Sequence, residues 1–122
     1  DMILADACWN DPHDGFGLMH NPRGGNTLLF GGDITASLCY REGLSMVVRS
    51  HDWPRTNPPH GYEWFQHEHG RGIGKIAGQE SICLSVFTAS DYCGGTGNMG
   101  ACAVFSGQSG IAEEINMYEW TA

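Results

Sequence analysis

The chain has few basic residues and no long apolar run. Only six of its 122 residues are Lys or Arg, against fourteen Asp or Glu, and its formal net charge is −8. Six cations spread thinly along the sequence offer no patch that could follow a phosphate backbone, which argues against a nucleic-acid partner. No apolar run approaches the roughly 18 residues of a membrane span, so we expect no transmembrane segment.

The cysteines lack the spacing of a zinc knuckle or a disulfide framework. Their number, five, is odd, and no two of them form a CxxC pair. Both features argue against structural disulfides and zinc binding. We therefore expect reduced thiols that mostly fill core space, in an intracellular protein of the cytoplasm or nucleus.

Glycine, by contrast, is abundant, with 18 residues at about twice the usual share of roughly 7%. This indicates many turns, while an apolar fraction of 41% permits a core and the length allows at most one domain. One helix is predicted over residues 34–42. Asp33 is its expected N-cap, Ile34 and Leu38 share one of its faces, and Gly43 ends it.

Short β-rich runs predict strands over residues 44–49, 62–66, 82–88, 100–105 and 111–120, separated by loops at 11–25 and 52–59. Met2–Trp9 is interpreted as a short strand or a buried lead-in. Residues 82–88 carry apolar groups on both faces, so we expect a strand covered on both sides. The result is an α+β fold of mostly mixed or antiparallel strands with one main helix. One nine-residue helix cannot cover five strands, which suggests that part of the fold lies elsewhere.

Three residues in loops could carry chemistry. Arg23 precedes two glycines, so its guanidinium is either a fork for two phosphate oxygens or an ordinary surface group. His51 follows a predicted strand and is either a metal ligand or a hydrogen-bonded strand end. Tyr92 follows the strongest strand, where a phenol can donate a hydrogen bond to a phosphate oxygen or a metal-bound water.

A separate metal site at His60, His67 and His69 is a weak hypothesis. These histidines lie beside a glycine-rich stretch, so we expect them to be exposed to solvent.

Five short motifs occur in an order that resembles the C-terminal half of the catalytic domain of the PPP family, the metal-dependent serine/threonine phosphatases. They are Trp9-Asn10-Asp11-Pro12, Asn21-Pro22-Arg23-Gly24, Arg49-Ser50-His51, Ser90-Asp91-Tyr92-Cys93 and Asn98-Met99-Gly100-Ala101. The resemblance spans about residues 1–105 and is strongest to the EF-hand-containing branch. It implies the C-terminal part of the calcineurin-like metallophosphoesterase β-sandwich, with residues 1–122 forming a partial catalytic domain.

The resemblance also implies roles for individual residues. Arg23 would contact the substrate phosphate, His51 would bind a metal, and Tyr92 would line the active site with Cys93 exposed beside it. Supporting roles would fall to Asp11, Asn98 and Cys93. The chain has Asp91 where the family has asparagine, which adds negative charge near the expected phosphate site.

The implied reaction is hydrolysis of phosphoserine or phosphothreonine through two metal ions of the Mn, Fe or Zn type. Most metal ligands of the family belong to Gly-Asp-x-His-Gly, Gly-Asp-x-Val-Asp-Arg-Gly and Gly-Asn-His-Glu motifs, which this sequence lacks. We therefore expect the isolated 122 residues to hold no metal pair and to be inactive.

The alternative is a non-catalytic phosphatase-like module that acts as a binding or structural subunit. The partner would be a phosphoprotein substrate in the first case and a protein chain that covers the exposed sheet in the second. Extended loops at residues 52–60 and 68–79 depart from the family's compact form.

Overall fold

Eight strands in three small sheets and two helices form the part of the chain that the computed structural model describes, residues 2–70 and 74–122. In the first sheet, β1 (Asp11–Pro12) runs parallel to β3 (Leu28–Phe30), and β2 (Leu18–His20) runs antiparallel to β3. The predicted loop over residues 11–25 therefore contains two short strands, and β3 was not predicted.

The second sheet forms the core. Its strands are β4 (Val47–Arg49), β5 (Tyr62–Trp64) and β6 (Cys83–Val86); β6 lies in the centre, parallel to β4 and antiparallel to β5. Cys83 and Leu84 have no exposed surface. The prediction of a strand buried on both faces is thus confirmed, within narrower bounds.

The third sheet is a long hairpin of β7 (Gly100–Gln108) and β8 (Ile111–Trp120). Its turn places Ser109 and Gly110 at φ of 55° and 78°, as in the tight turns that match the twist of a hairpin. The hairpin joins the second sheet where the amide of Ala101 donates to the carbonyl of Phe87 at 2.8 Å. Both strands were predicted.

The first helix, α1 (Met2–Trp9), corrects the prediction of a strand or buried lead-in. Its sequence contains Met, Leu and two alanines, which are strong helix formers. Residues 5–9 are exposed, so local propensity decides the conformation instead of burial in a sheet.

The second helix, α2 (Gly32–Glu42), ends as predicted at Gly43, which adopts the left-handed conformation with φ of 66°. The predicted N-cap is wrong, because the helix begins earlier, after Gly31. Asp33 lies in the first turn, and its carboxylate accepts a hydrogen bond from the amide of Gly17 at 2.7 Å. The buried face of α2 carries Thr35 and does not include the predicted apolar pair, Ile34 and Leu38.

The predicted mixed α and β class is confirmed, with two helices instead of one main helix. Residues 52–59 contain no helix or strand, as predicted. Among the helices of the described residues, none is long and apolar enough to cross a membrane.

Candidate active site

Arg23, His51 and Tyr92 line one pocket of ≈ 290 Å³. The rest of its lining consists of Trp9, Asp52, Trp53 and Phe87. The three residues lie far apart in the sequence, so the fold brings together what the motifs suggested only one by one. Their chemical roles remain predictions.

Arg23 is carried by a turn that hydrogen bonds hold in shape. Its amide donates to Asn21 Oδ1 at 3.0 Å, and the amide of Gly24 donates to the carbonyl of Asn21 at 3.1 Å. Gly24 and Gly25 have φ of 95° and 68°, a conformation that side chains with a Cβ rarely adopt. The turn therefore requires the two glycines that follow the arginine.

The guanidinium of Arg23 is held between two carboxylates. Its Nε lies 3.4 Å from Asp11 Oδ2, and its Nη2 lies 3.3 Å from Asp52 Oδ1. Nη2 also donates to the backbone carbonyl of His51 at 2.8 Å. Nη1 of Arg23 makes no hydrogen bond or ion pair with the described residues. About a quarter of the side chain is exposed, so the group is reachable from the pocket.

Asp11 is a buried link between two arginines. Its Oδ1 lies 2.7 Å from Nη2 of Arg49, and its Oδ2 accepts from Asn21 Nδ2 at 2.7 Å. Burial lowers the pKa of Arg49, and the charge of Asp11 is the largest opposing influence. Five groups thus form a chain of alternating charge, in the order Arg49, Asp11, Arg23, Asp52 and Arg55.

His51 has a strained backbone, with φ of 74° in the left-handed region. Such conformations in non-glycine residues cost on the order of 1–3 kcal/mol and concentrate at functional sites. Its Nδ1 lies 3.3 Å from the carbonyl oxygen of Cys8. Because a carbonyl can only accept, this contact favours the neutral tautomer with its proton on Nδ1, in which Nε2 keeps a lone pair for a ligand.

Trp9 is a site residue that the sequence analysis did not single out. Its ring meets that of His51 edge-on, with centroids 4.7 Å apart and planes at 64°. The last turn of α1 therefore supports His51 through both the Cys8 carbonyl and this ring. Trp9 belongs to the Trp9-Asn10-Asp11-Pro12 motif, but the prediction of a strand over Met2–Trp9 did not indicate that its ring would contact His51.

Tyr92 lies on a loop that Asn98 holds together. The side chain of Asn98 donates to the carbonyls of Ala89 and Met99 at 2.8 and 2.9 Å and accepts from the amide of Tyr92 at 3.0 Å. The tyrosine ring packs edge-on against Phe87 at 5.2 Å and remains 45% exposed.

Two other residues of this loop do not line the pocket. Cys93 is exposed, with φ of 59°. Asp91, which stands in place of the family's asparagine, accepts from the amide of Gly97 at 3.0 Å. This hydrogen bond holds the Asp91 carboxylate within the loop and partly offsets its negative charge.

Within residues 2–70 and 74–122 no group of three or more His, Cys, Asp or Glu could hold a metal ion, so His60, His67 and His69 form no shared site. His67 is 1% exposed, with Nδ1 2.9 Å from Thr35 Oγ1 and Nε2 2.8 Å from the carbonyl of His13. The prediction that it is exposed was wrong, because two hydrogen bonds satisfy the buried ring. His60 and His69 are only partly exposed, and His60 pairs with Glu119 at 3.0 Å.

A larger cavity of ≈ 480 Å³ shares Arg23, Asp52 and Trp53 with the site pocket. Glu63 lines it, and its pKa is raised, first by burial and then by the charge of Asp14. Glu63 and Asp14 belong to no motif, whereas Asp11, Asn21, Arg23 and Arg49, which also line this cavity, come from three of the motifs.

The chain aligns with serine/threonine phosphatases of three eukaryotes. It is 34% identical over 105 residues to serine/threonine-protein phosphatase T of Trypanosoma brucei brucei, which covers 86% of this chain and 19% of that protein. The phosphatase T of Schizosaccharomyces pombe is 33% identical over 99 residues, which is 81% of this chain and 17% of that protein. These relatives support a PPP-family phosphatase domain.

One further relative and one solved structure are also similar to this chain. Phosphatase BSL2 of Arabidopsis thaliana is 29% identical over 84% of this chain and 9% of that protein. A Saccharomyces cerevisiae serine/threonine phosphatase with similarity to human PP5 matches 93% of this chain and 32% of its own, with a TM-score of 0.65. At 22% identity, that match supports the fold alone. No protein-family model matches the chain.

The chain spans less than a fifth of the length of the curated relatives given above. The phosphatase T relatives agree with the family inferred from the motifs, whereas the assignment to the EF-hand-containing branch stays a prediction. Two further predictions also remain untested, the partial-domain assignment of residues 1–122 and the cellular location.

Proposed function

We propose that the chain supplies the phosphate-binding side of a protein phosphatase site that hydrolyses phosphoserine or phosphothreonine. The observation that carries this proposal is the convergence of Arg23, His51 and Tyr92 on one pocket. A cation, an imidazole and a phenol around one opening suit a phosphoryl group, because each can stabilise negative oxygen atoms or a metal that does so.

Arg23 would bind two phosphate oxygens through the Nη1 and Nη2 edge of its guanidinium, while Asp11 holds the Nε side in place. The hydroxyl of Tyr92 would donate a hydrogen bond to a third oxygen. Hydrogen bonds hold both residues in position. The amide of Arg23 donates to Asn21 Oδ1, and the amide of Tyr92 donates to Asn98 Oδ1. Positions fixed before binding reduce the entropic cost of ordering the site.

Phosphatases of this family are generally metal-dependent, and two metal ions would supply an activated water for attack on phosphorus. In the described ranges 2–70 and 74–122, no group of three or more His, Cys, Asp or Glu lies close enough to hold a metal ion. This donor set does not fit a metal without further ligands. His51 would contribute Nε2 to a site completed by other residues.

It follows that the 122 residues alone are expected to show no manganese-dependent hydrolysis of a phosphoserine peptide. The measurement is phosphate release by the purified chain with Mn²⁺, compared with buffer. Turnover that His51→Ala abolishes would contradict the proposal, because a complete catalytic centre would then lie within this chain.

A chimera provides the positive test. The 105 aligned residues of this chain would replace their counterpart in the T. brucei phosphatase, and hydrolysis of a phosphoserine peptide would be measured. We expect activity that Arg23→Ala lowers by about 10²–10³ in kcat/KM, the usual loss for one stabilising donor. The matched control is Arg41→Ala, since Arg41 is exposed and pairs only with its neighbour Glu42 among the described ion pairs.

An inactive chimera that is folded by circular dichroism and binds inorganic phosphate would instead favour the second candidate, a non-catalytic phosphatase-like binding or structural module. The large apolar side chains that remain exposed favour this candidate, among them Phe16 at 83% and Leu18 at 58%. Exposed apolar surface on this scale is suited to burial against another protein segment.

A further inference from the structure

Asp52 stands between Arg23 and a second arginine, Arg55. Its Oδ1 lies 3.3 Å from Nη2 of Arg23 and 3.4 Å from Nη2 of Arg55. Its Oδ2 lies 3.2 Å from Nη1 of Arg55. Both oxygens of this carboxylate therefore face Arg55, and one of them is shared with Arg23.

Asp52 Oδ1 contacts Nη2 of Arg23, the same nitrogen that a bound phosphate would need as a donor. A guanidinium binds phosphate through two parallel N–H groups, and one candidate edge of Arg23 is formed by Nη1 and Nη2. Nη2 already contacts Asp52 and the carbonyl of His51. Asp52 also lines the pocket itself, so its negative charge would repel an incoming phosphate dianion.

Arg55 gives Asp52 an alternative partner. Its guanidinium lies 5.3 Å from the ring centroid of Trp53, within the range of a cation–π contact. The side chain of Arg55 is 67% exposed, whereas that of Asp52 is 20% exposed. If Asp52 released Arg23, its two oxygens would remain paired with Arg55, so no partly buried carboxylate would be left alone.

We propose that Asp52 is a positioning residue that holds Arg23 when no phosphate is present, competes with phosphate for Nη2, and passes to Arg55 on binding. This inference rests on the proposed role of Arg23 in phosphate binding. The competition sets a threshold: only an oxyanion that pairs with the guanidinium better than a carboxylate displaces Asp52. Asp52 thus weakens phosphate binding, and Arg55 strengthens it at a distance.

The test follows the Nε–Hε NMR signal of Arg23 in the 122-residue chain during titration with inorganic phosphate at constant ionic strength and pH 7.5. Asp52→Asn should tighten phosphate binding by about two- to fivefold, which is the fold-change that corresponds to the loss of a competing, partly exposed ion pair. Arg55→Gln should weaken binding by a similar factor, because Asp52 then has Arg23 as its remaining partner.

Opposite signs for the two variants exclude a purely structural role, which would weaken binding in both. Asp52→Glu keeps the charge and should stay close to the wild-type affinity. Glu42→Gln, in the exposed Arg41–Glu42 pair, should change nothing. Asp52→Ser provides a second charge-removing variant in case Asp52→Asn misfolds.

The outcomes separate the two proposals. If phosphate shifts the Arg23 signal in the wild type but Asp52→Asn leaves the affinity unchanged or lower, the competition is refuted and the phosphate role stands. If the Arg23 signal does not respond in the wild type or in Asp52→Asn, both proposals are overturned.

Discussion

Replacing Asp11 with asparagine removes the carboxylate from the Asp11–Arg49 ion pair, in which the two side chains are only 9% and 11% exposed. The side chain keeps its size, so the change is one of charge. Arg49 stays protonated, because arginine is not deprotonated at ordinary pH. The variant therefore leaves a buried cation without its 2.7 Å partner.

The expected loss in free energy of unfolding is about 3 kcal/mol. Removing one partner of a buried pair costs about 3–5 kcal/mol, and the asparagine oxygen can still accept a hydrogen bond, which places the value at the lower end. A loss of this size is a large fraction of the roughly 5–15 kcal/mol that stabilises a typical domain. The variant should fold, but with a much smaller margin.

The assay is equilibrium urea unfolding followed by tryptophan fluorescence and by circular dichroism. With a slope of about 1–3 kcal/mol per molar urea, the midpoint should fall by about 1–3 M. The control is Glu42→Gln, whose partner Arg41 is 68% exposed. That pair should contribute less than about 1 kcal/mol.

An Asp11→Asn midpoint within the range of the Glu42→Gln control would refute the reasoning. A double-mutant cycle with Arg49→Met adds a stricter condition. The two substitutions should be non-additive by about 1–3 kcal/mol, since the second removes the unpaired charge that makes the first costly.

Three further outcomes are expected. Burial and then the charge of Asp14 raise the pKa of Glu63, so the wild type loses stability as the pH rises through that value. Glu63→Gln should therefore raise stability at pH 7–8 and leave it nearly unchanged below about pH 4. Thermal melts that show equal differences between variant and wild type at both pH values would contradict this. Cys93, which is exposed, should react with a thiol reagent in the native chain, whereas burial raises the pKa of Cys83 to about 12 and should delay its reaction until unfolding; mass spectrometry of modified peptides compares the two. Asn98→Ala should cost about 2–4 kcal/mol, at roughly 1 kcal/mol for each lost hydrogen bond and more for a buried group left unpaired, and urea unfolding with no measurable loss would argue against its role in the loop.

Several patterns that depend on neighbours in the sequence were read correctly. Gly43 marked the end of α2 because a left-handed residue there favours glycine, and alternating or continuous apolar runs marked the hairpin and β6. Two short strands escaped this reading. β1 has two residues and β3 has three, which is too short for any periodicity, and their pairing joins segments far apart in the sequence.

Two errors arose where tertiary contacts replace a local preference. Asp33 had the composition of an N-cap, but its carboxylate bonds to the distant amide of Gly17. His67 had polar and glycine-rich neighbours, yet Thr35 and the His13 carbonyl satisfy its ring in the interior. In both cases the partner lies more than ten residues away, and no local pattern specifies it. The site motifs predicted Arg23, His51 and Tyr92, which line one pocket, but gave no indication of Asp52 between Arg23 and Arg55.

The chain of alternating charges is expected to contribute both to stability and to phosphate binding, and substitutions can separate these two contributions. Asp11 belongs to β1 and Arg49 to β4, so their pair connects the first sheet to the second as well as aligning Arg23. Asp52 lies beyond the end of β4, in the part of the chain that faces the pocket. Charge removal at Asp11 should therefore lower stability and phosphate binding together, whereas charge removal at Asp52 should raise binding at little cost in stability. Parallel effects at the two positions would mean that the network acts as a single structural unit, with no part of it poised to exchange partners.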